Sequence, residues 1–140
     1  MDISMFGPAA VLGLAFIGSS IGCGIAGMAC QAVMSRVEEG HGKFIALAAM
    51  PASQSIYGFV LMFLMMNSIQ AGTLDAVNAI GIGVSCGVVM LMSSMYQGMC
   101  AATGAQAVAR QPAIFMKSVI PLVIIEGFSL LNFVFSTLLL

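Results

Sequence analysis

Val119-Ile-Pro-Leu-Val-Ile-Ile-Glu-Gly-Phe-Ser-Leu-Leu-Asn-Phe-Val-Phe135 is an apolar run with one carboxylate, Glu126, near its middle. The nearest charged residue in sequence is Lys117, and no charge follows Glu126. An ionised group at the centre of a membrane-length run costs about 2.5 to 3.5 kcal/mol even on a lenient insertion scale. A chain keeps such a group when it is paired, protonated or used. The fold and the function both turn on what surrounds Glu126.

Composition names the solvent. Of 140 residues, 61% are hydrophobic and 6% are charged, and mean hydropathy is +1.11. A soluble domain carries about 25% charged residues. Too much apolar surface is present for a water-facing fold of this size, so the fold class is an all-α membrane protein. A span needs about 20 mostly apolar residues. The length accommodates four spans, which form a single membrane domain over 1–140 with no room for a soluble one. Met1-Asp-Ile-Ser4 lacks the basic start of a cleavable signal peptide. The net charge of −1 gives nucleic-acid binding no support.

The first span is expected from Pro8 to Ser35. Gly18, Gly22, Ala26 and Cys30 recur at four-residue spacing. Small residues so spaced let helices approach backbone to backbone. A polar loop, Arg36 to Lys43, follows, and His41 reads as a solvated loop residue. The second span runs from Phe44 to Asn67 and contains Pro51, which removes a donor and frees a carbonyl about one turn upstream. A short polar turn leads to the third span, Ala76 to Val108, again rich in small residues. A second polar loop, Ala109 to Lys117, precedes the fourth span, which carries Pro121 and Glu126. Cys23, Cys30, Cys86 and Cys100 lie inside spans and read as small packing residues.

Arg36, Lys43, Arg110 and Lys117 are all the basic residues, and all flank these two loops. By the positive-inside rule both loops are cytoplasmic, and both termini lie on the other side. The protein is then a multi-pass integral membrane protein, in the cell membrane if the source is prokaryotic.

The two halves echo one another. Gln31-Ala-Val resembles Gln106-Ala-Val, Lys43 corresponds to Lys117, and Gly58-Phe-Val60 to Asn132-Phe-Val134. The chain reads as a duplicated hairpin, 8–68 and 76–140, with both copies in one orientation. In that register Glu126 falls opposite Ala52, so one carboxylate serves two hairpins.

Helix rise of about 1.5 Å per residue puts Gln54, Gln97 and Glu126 near the middle of their spans. Ser53 and Tyr57 are four apart and share a helix face. Three helices thus bring oxygen atoms to one height: the Glu126 carboxylate, the Gln54 and Gln97 amides, the Ser53 hydroxyl, and a carbonyl of Met50 or Leu47 beside Pro51. An all-oxygen shell with one negative charge suits a monovalent cation such as Na⁺. A proton needs only the carboxyl group and one acceptor. Tyr57 can donate to the carboxylate and hold it.

The hairpin repeat, Pro51-Ala-Ser-Gln-Ser-Ile-Tyr-Gly-Phe59, Tyr96-Gln-Gly98 and Ile125-Glu-Gly resemble the proteolipid rotor subunit of V-type (A/V-type) rotary ATPases. The resemblance covers nearly the whole chain. It implies a homo-oligomeric ring with the first and third spans innermost. In the sodium-translocating members it implies Na⁺ held by Ser53, Gln54, Gln97, Glu126 and the Met50 carbonyl, with Tyr57 positioning the carboxylate. Ser53 stands where those members often have threonine, and the hydroxyl is kept. The implied partners are a stator membrane subunit whose arginine displaces the cation, a central-stalk subunit docked on loops 36–43 and 109–117, and membrane lipid. The carried ion, Na⁺ or H⁺, is cargo, and no cofactor is implied. The chain has no phosphate-binding loop, so any ATP chemistry belongs to a soluble head.

Two other classes compete. A small proton-coupled secondary transporter also uses a membrane glutamate, but it needs an aromatic-walled ligand pocket, and this chain has no Trp. A purely structural membrane oligomer leaves three amide or carboxylate groups at one depth without a use.

Overall fold

The computed structural model describes residues 3–140. It is helical throughout, with no strand among the described residues. A short 3-10 turn, Ile3–Met5, leads into α1 (Phe6–Met34). Then come α2 (His41–Ala49), a 3-10 turn (Met50–Ala52) and α3 (Ser53–Gln70). α4 is Ala76–Arg110, and α5 is Phe115–Thr137 after a 3-10 turn at Pro112–Ile114. Four stretches are long and apolar enough to cross a membrane: Ile3–Met34, His41–Gln70, Ala76–Arg110 and Pro112–Thr137. In lipid every backbone polar group must find its partner inside the protein, and helices achieve this within one segment.

The second span, expected from Phe44 to Asn67, is longer at both ends in the structure, His41 to Gln70. It begins at His41 and is interrupted by the 3-10 turn at Met50–Ala52. Pro51 causes the interruption, because its nitrogen cannot donate to the carbonyl of Leu47. The expected loop is correspondingly shorter. His41 opens α2, is exposed, and places Nε2 2.8 Å from the Val37 carbonyl. α4 is capped by Asp75, whose Oδ1 accepts from the Asn78 amide at 3.1 Å and satisfies one of the four free donors of the first turn.

α1 and α4 make the most extensive contact of the molecule. They run parallel: Gly7 lies against Ala79, Gly18 against Leu91 and Gly22 against Ser94. At Gly22 and Gly98 the backbones touch. A Cβ on Gly98 would collide with the Gly22 carbonyl, and one on Gly22 would collide with the Ser94 carbonyl. The small-residue stripe is therefore a backbone-to-backbone seam. α3 packs antiparallel on α1, with Gly58 against Ala15, and α5 packs on α4.

Two apolar clusters fill the interior. One contains Val11, Leu61, Met65 and Met90, and the other contains Cys30, Phe44, Leu47, Ala101 and Leu122. Between them, in the middle of the spans, the buried residues turn polar: Ser19, Gln54, Ser94 and Gln97. The outside is the reverse, with Ile56, Phe59, Phe63 and Phe128 all more than half exposed. The polarity is inverted relative to a soluble bundle, as a lipid-facing protein requires. All four cysteines are free thiols; Cys30 and Cys86 are buried, and Cys23 and Cys100 half-buried.

Candidate cation site

Glu126 sits half-buried on α5. The Tyr57 hydroxyl donates to its Oε1 at 2.9 Å. The other oxygen, Oε2, has only a long 3.4 Å contact from Gln97 Nε2. That amide nitrogen donates more closely to the Leu122 carbonyl, at 3.0 Å. One carboxylate oxygen is thus anchored, and the other is weakly engaged.

The network continues inward. Gln97 Oε1 accepts from Gln54 Nε2 at 2.9 Å, and both glutamines are fully buried. Gln54 Oε1 lies 3.3 Å from the Ser53 hydroxyl, and so does the Met50 carbonyl. A hydroxyl has one proton to give, so it serves Gln54 Oε1 or the Met50 carbonyl but not both, and the Met50 carbonyl also accepts the Ser53 backbone N–H. The corner formed by Ser53, Gln54 and Met50 has more lone pairs than hydrogens. Oxygen acceptors linked in this way through Gln97 to a carboxylate are the kind of ligand a hard cation takes.

Every residue singled out in the sequence joins this network: Glu126, Tyr57, Gln97, Gln54, Ser53 and Met50. Of the two candidate carbonyls, that of Met50 is the one it includes; the Leu47 side chain belongs to an apolar cluster. Among the described residues no His, Cys, Asp and Glu group has the make-up of a transition-metal site.

Three supporting groups escaped the sequence reading. Ser94 donates to the Pro51 carbonyl at 2.7 Å in a fully buried contact and ties the break in the second span to α4. Ser93 donates to the Ile125 carbonyl at 3.0 Å, next to Glu126. Ser19 accepts from the Ser55 amide at 3.1 Å, joining α1 to α3. Ser94 is three residues from Gln97 and so shares its helix face. That spacing was the available signal. Tyr57 is held from its other side by stacking on Phe133, with ring centroids 5.9 Å apart.

Comparison with known proteins bears on this arrangement. The family of ATP synthase C subunits matches residues 6–65 and again residues 80–139. The chain belongs to that family. The displacement between the two matches is that from Lys43 to Lys117 and from Phe59 to Phe133, so the duplicated hairpin is a family unit repeated. Members of the family are ring-forming rotor proteolipids. The chain is 32% identical over 125 residues to the V-type sodium ATPase subunit K of Enterococcus hirae, covering 88% of this chain and 80% of that protein. It is 30% identical over 134 residues to the A-type ATP synthase subunit K of Methanocaldococcus jannaschii, covering 96% of this chain and 60% of that protein. In a family that forms rings, exposed apolar side chains such as Ile56, Phe59 and Phe63 are available to neighbouring copies as well as to lipid.

Proposed function

We propose that the chain is the cation-carrying rotor subunit of a V/A-type rotary ATPase and that its cargo is Na⁺. Reversible binding occurs at Glu126, with Ser53, Gln54, Gln97 and the Met50 carbonyl as further oxygen ligands. Tyr57 positions the carboxylate. The observation that carries the reading is the acceptor-rich corner at Ser53, Gln54 and Met50, joined through Gln97 to a carboxylate with one weakly engaged oxygen. The name of the Enterococcus hirae relative, a sodium ATPase subunit, supports the same ion.

The mechanism follows from charge. Empty, Glu126 is an anion among apolar residues, and exposure to lipid is costly. Filled with Na⁺ the site is neutral and crosses the lipid face of a ring. A stator arginine competes for the carboxylate, the cation leaves, and the site reloads from the opposite side. Both hairpins, 8–68 and 76–140, build the site, but one carboxylate limits the chain to one cation per cycle. The segments 36–43 and 109–117, each a short connection with the helix ends that flank it, face the cytoplasm and dock the central stalk, and both termini lie outside. Rotation then couples cation passage to ATP hydrolysis or synthesis in the soluble head.

Carbodiimide labelling of Glu126 at fixed pH tests the cargo. Added Na⁺ slows labelling if Na⁺ occupies the carboxylate. Labelling insensitive to Na⁺ would mean that the cargo is H⁺.

A further inference from the structure

Past Glu126 the apolar character of α5 lapses along one line. Ser129, Asn132 and Ser136 follow at steps of three, three and four residues, so each is the helix-surface neighbour of the one before. In the other direction every residue from Val119 to Ile125 is apolar. The polar line therefore runs from Glu126 toward the C-terminal end of α5 only.

Two atoms on this line are buried and unpartnered. Ser129 Oγ and Asn132 Nδ2 have no hydrogen bond among the described residues, and Ser129 is fully buried. A helical serine or threonine commonly turns its hydroxyl back to a carbonyl three or four residues earlier, as Ser85, Ser136 and Thr137 do here. At Ser129 the carbonyl four residues back, that of Ile125, accepts from Ser93 at 3.0 Å instead. The Asn132 backbone carbonyl accepts from Ser136 at 2.6 Å, and Ser136 Oγ lies 2.7 Å from the Cys86 sulfur. The Asn132 side-chain amide takes no part in these bonds. Turning that amide over would put Oδ1 in place of Nδ2, and the orphan would still be polar. The first hairpin has no such group: Asn132 stands where it has Gly58, whose added Cβ would collide with Ala15.

Buried polar atoms in folded proteins are bonded to protein or to ordered water, and internal water settles where polar groups converge. Side chains three apart on a helix lie about 5 to 6 Å apart at Cβ, a gap that one water spans with two hydrogen bonds. We propose that Ser129 and Asn132 hold ordered water, and that this water hydrates an approach to Glu126 from the C-terminal end of α5. The approach rests on the cation-carrier reading; the water site does not. A cation leaving Glu126 needs a new oxygen for each ligand it gives up. Val119 to Ile125 offer no side-chain oxygen, whereas Ser129, Asn132 and their water offer several. With both termini outside, the approach opens to the non-cytoplasmic side.

A structure of the purified oligomer at a resolution that shows water tests the site. Water within hydrogen-bond reach of both atoms is expected in the wild type and not in S129A/N132L. Side chains of a neighbouring copy bonded to these atoms, or no water on them, overturns the proposal. The approach is tested by exchange of bound radioactive sodium against unlabelled Na⁺, measured beside equilibrium affinity. In S129A/N132L exchange should slow roughly tenfold with affinity unchanged. S118A, which removes a hydroxyl at the other end of α5, should exchange as the wild type does. If the double variant does not assemble, S129A alone is measured, and a partial slowing is expected. Exchange at the wild-type rate overturns the approach. So does faster exchange with a matching loss of affinity, which would make the pair a structural support of the site. A wild type that holds the water but binds no Na⁺ upholds the water site and refutes the sodium cargo.

Discussion

Tyr57 and Glu126, 69 positions apart in sequence, meet in a 2.9 Å hydrogen bond that fixes one carboxylate oxygen and leaves the other weakly engaged. This asymmetry separates holding the carboxylate from using it. Oε1 is held by the scaffold, and Oε2 is the oxygen left for the proposed cation.

Tyr57→Phe is expected to weaken Na⁺ binding without unfolding the protein. The ring keeps its stacking on Phe133, and only the hydroxyl is lost. A hydrogen bond to a charged group contributes about 1.5 kcal/mol or more, so affinity should fall at least roughly tenfold. Equilibrium Na⁺ binding to the purified variant checks this.

Na⁺ and H⁺ should compete for Glu126, and the sign of the pH effect follows. Lower pH favours the neutral acid, which excludes Na⁺ and is the species that carbodiimide attacks. The Na⁺ needed for half-protection should therefore rise as the pH is lowered. Labelling rates over a grid of pH and Na⁺ concentration test this.

Ser94→Ala should destabilise the protein and loosen the site together. It leaves the buried Pro51 carbonyl without the 2.7 Å hydroxyl that now serves it. An unsatisfied buried acceptor costs about 1 to 3 kcal/mol. The thermal midpoint in detergent should fall, and Na⁺ affinity should fall with it, because Met50 and Ser53 flank the same break.

Gly98→Ala should be the more damaging small change. Its methyl group would meet the Gly22 backbone rather than a movable side chain. Forcing extra volume into a packed contact costs typically about 1 to 3 kcal/mol or more. The α1–α4 seam would open beside Gln97, so the expected outcome is loss of the detergent-stable oligomer on a gel.

Much of this was legible in the sequence, for physical reasons that differ by residue. Composition alone requires lipid, and continuous apolar runs of about 20 residues in lipid specify helices rather than alternating barrel strands, so the four spans follow. Glu126 announces itself by cost, and Gln54 and Gln97 by depth. Ser94 did not, because within a stripe of Gly, Ala and Ser a hydroxyl reads as a small packing residue, and only its three-residue spacing from Gln97 sets it apart. Its role depends on which backbone of the other hairpin it meets. His41 read as a loop residue because glycines flank it on both sides. The helix nevertheless begins there, directly after Gly40 in a left-handed turn. The extent of the break at Met50–Ala52 was hidden too, since a proline specifies a lost donor but not how many residues rearrange around it. The reading of the chain's start rests partly on Met1 and Asp2, which lie outside the described residues.

Whether Glu126 carries Na⁺ is decided by equilibrium binding of radioactive sodium to the purified oligomer, wild type beside Glu126→Gln. The side chain that replaces Glu126 keeps an oxygen for Tyr57 and the apolar surroundings, but it removes the charge. Saturable binding of a single Na⁺ per chain is expected in the wild type, and none in an equally well assembled Glu126→Gln. Saturable binding that survives the substitution, or no Na⁺ binding by the wild type at any pH, would contradict a sodium site built on this carboxylate.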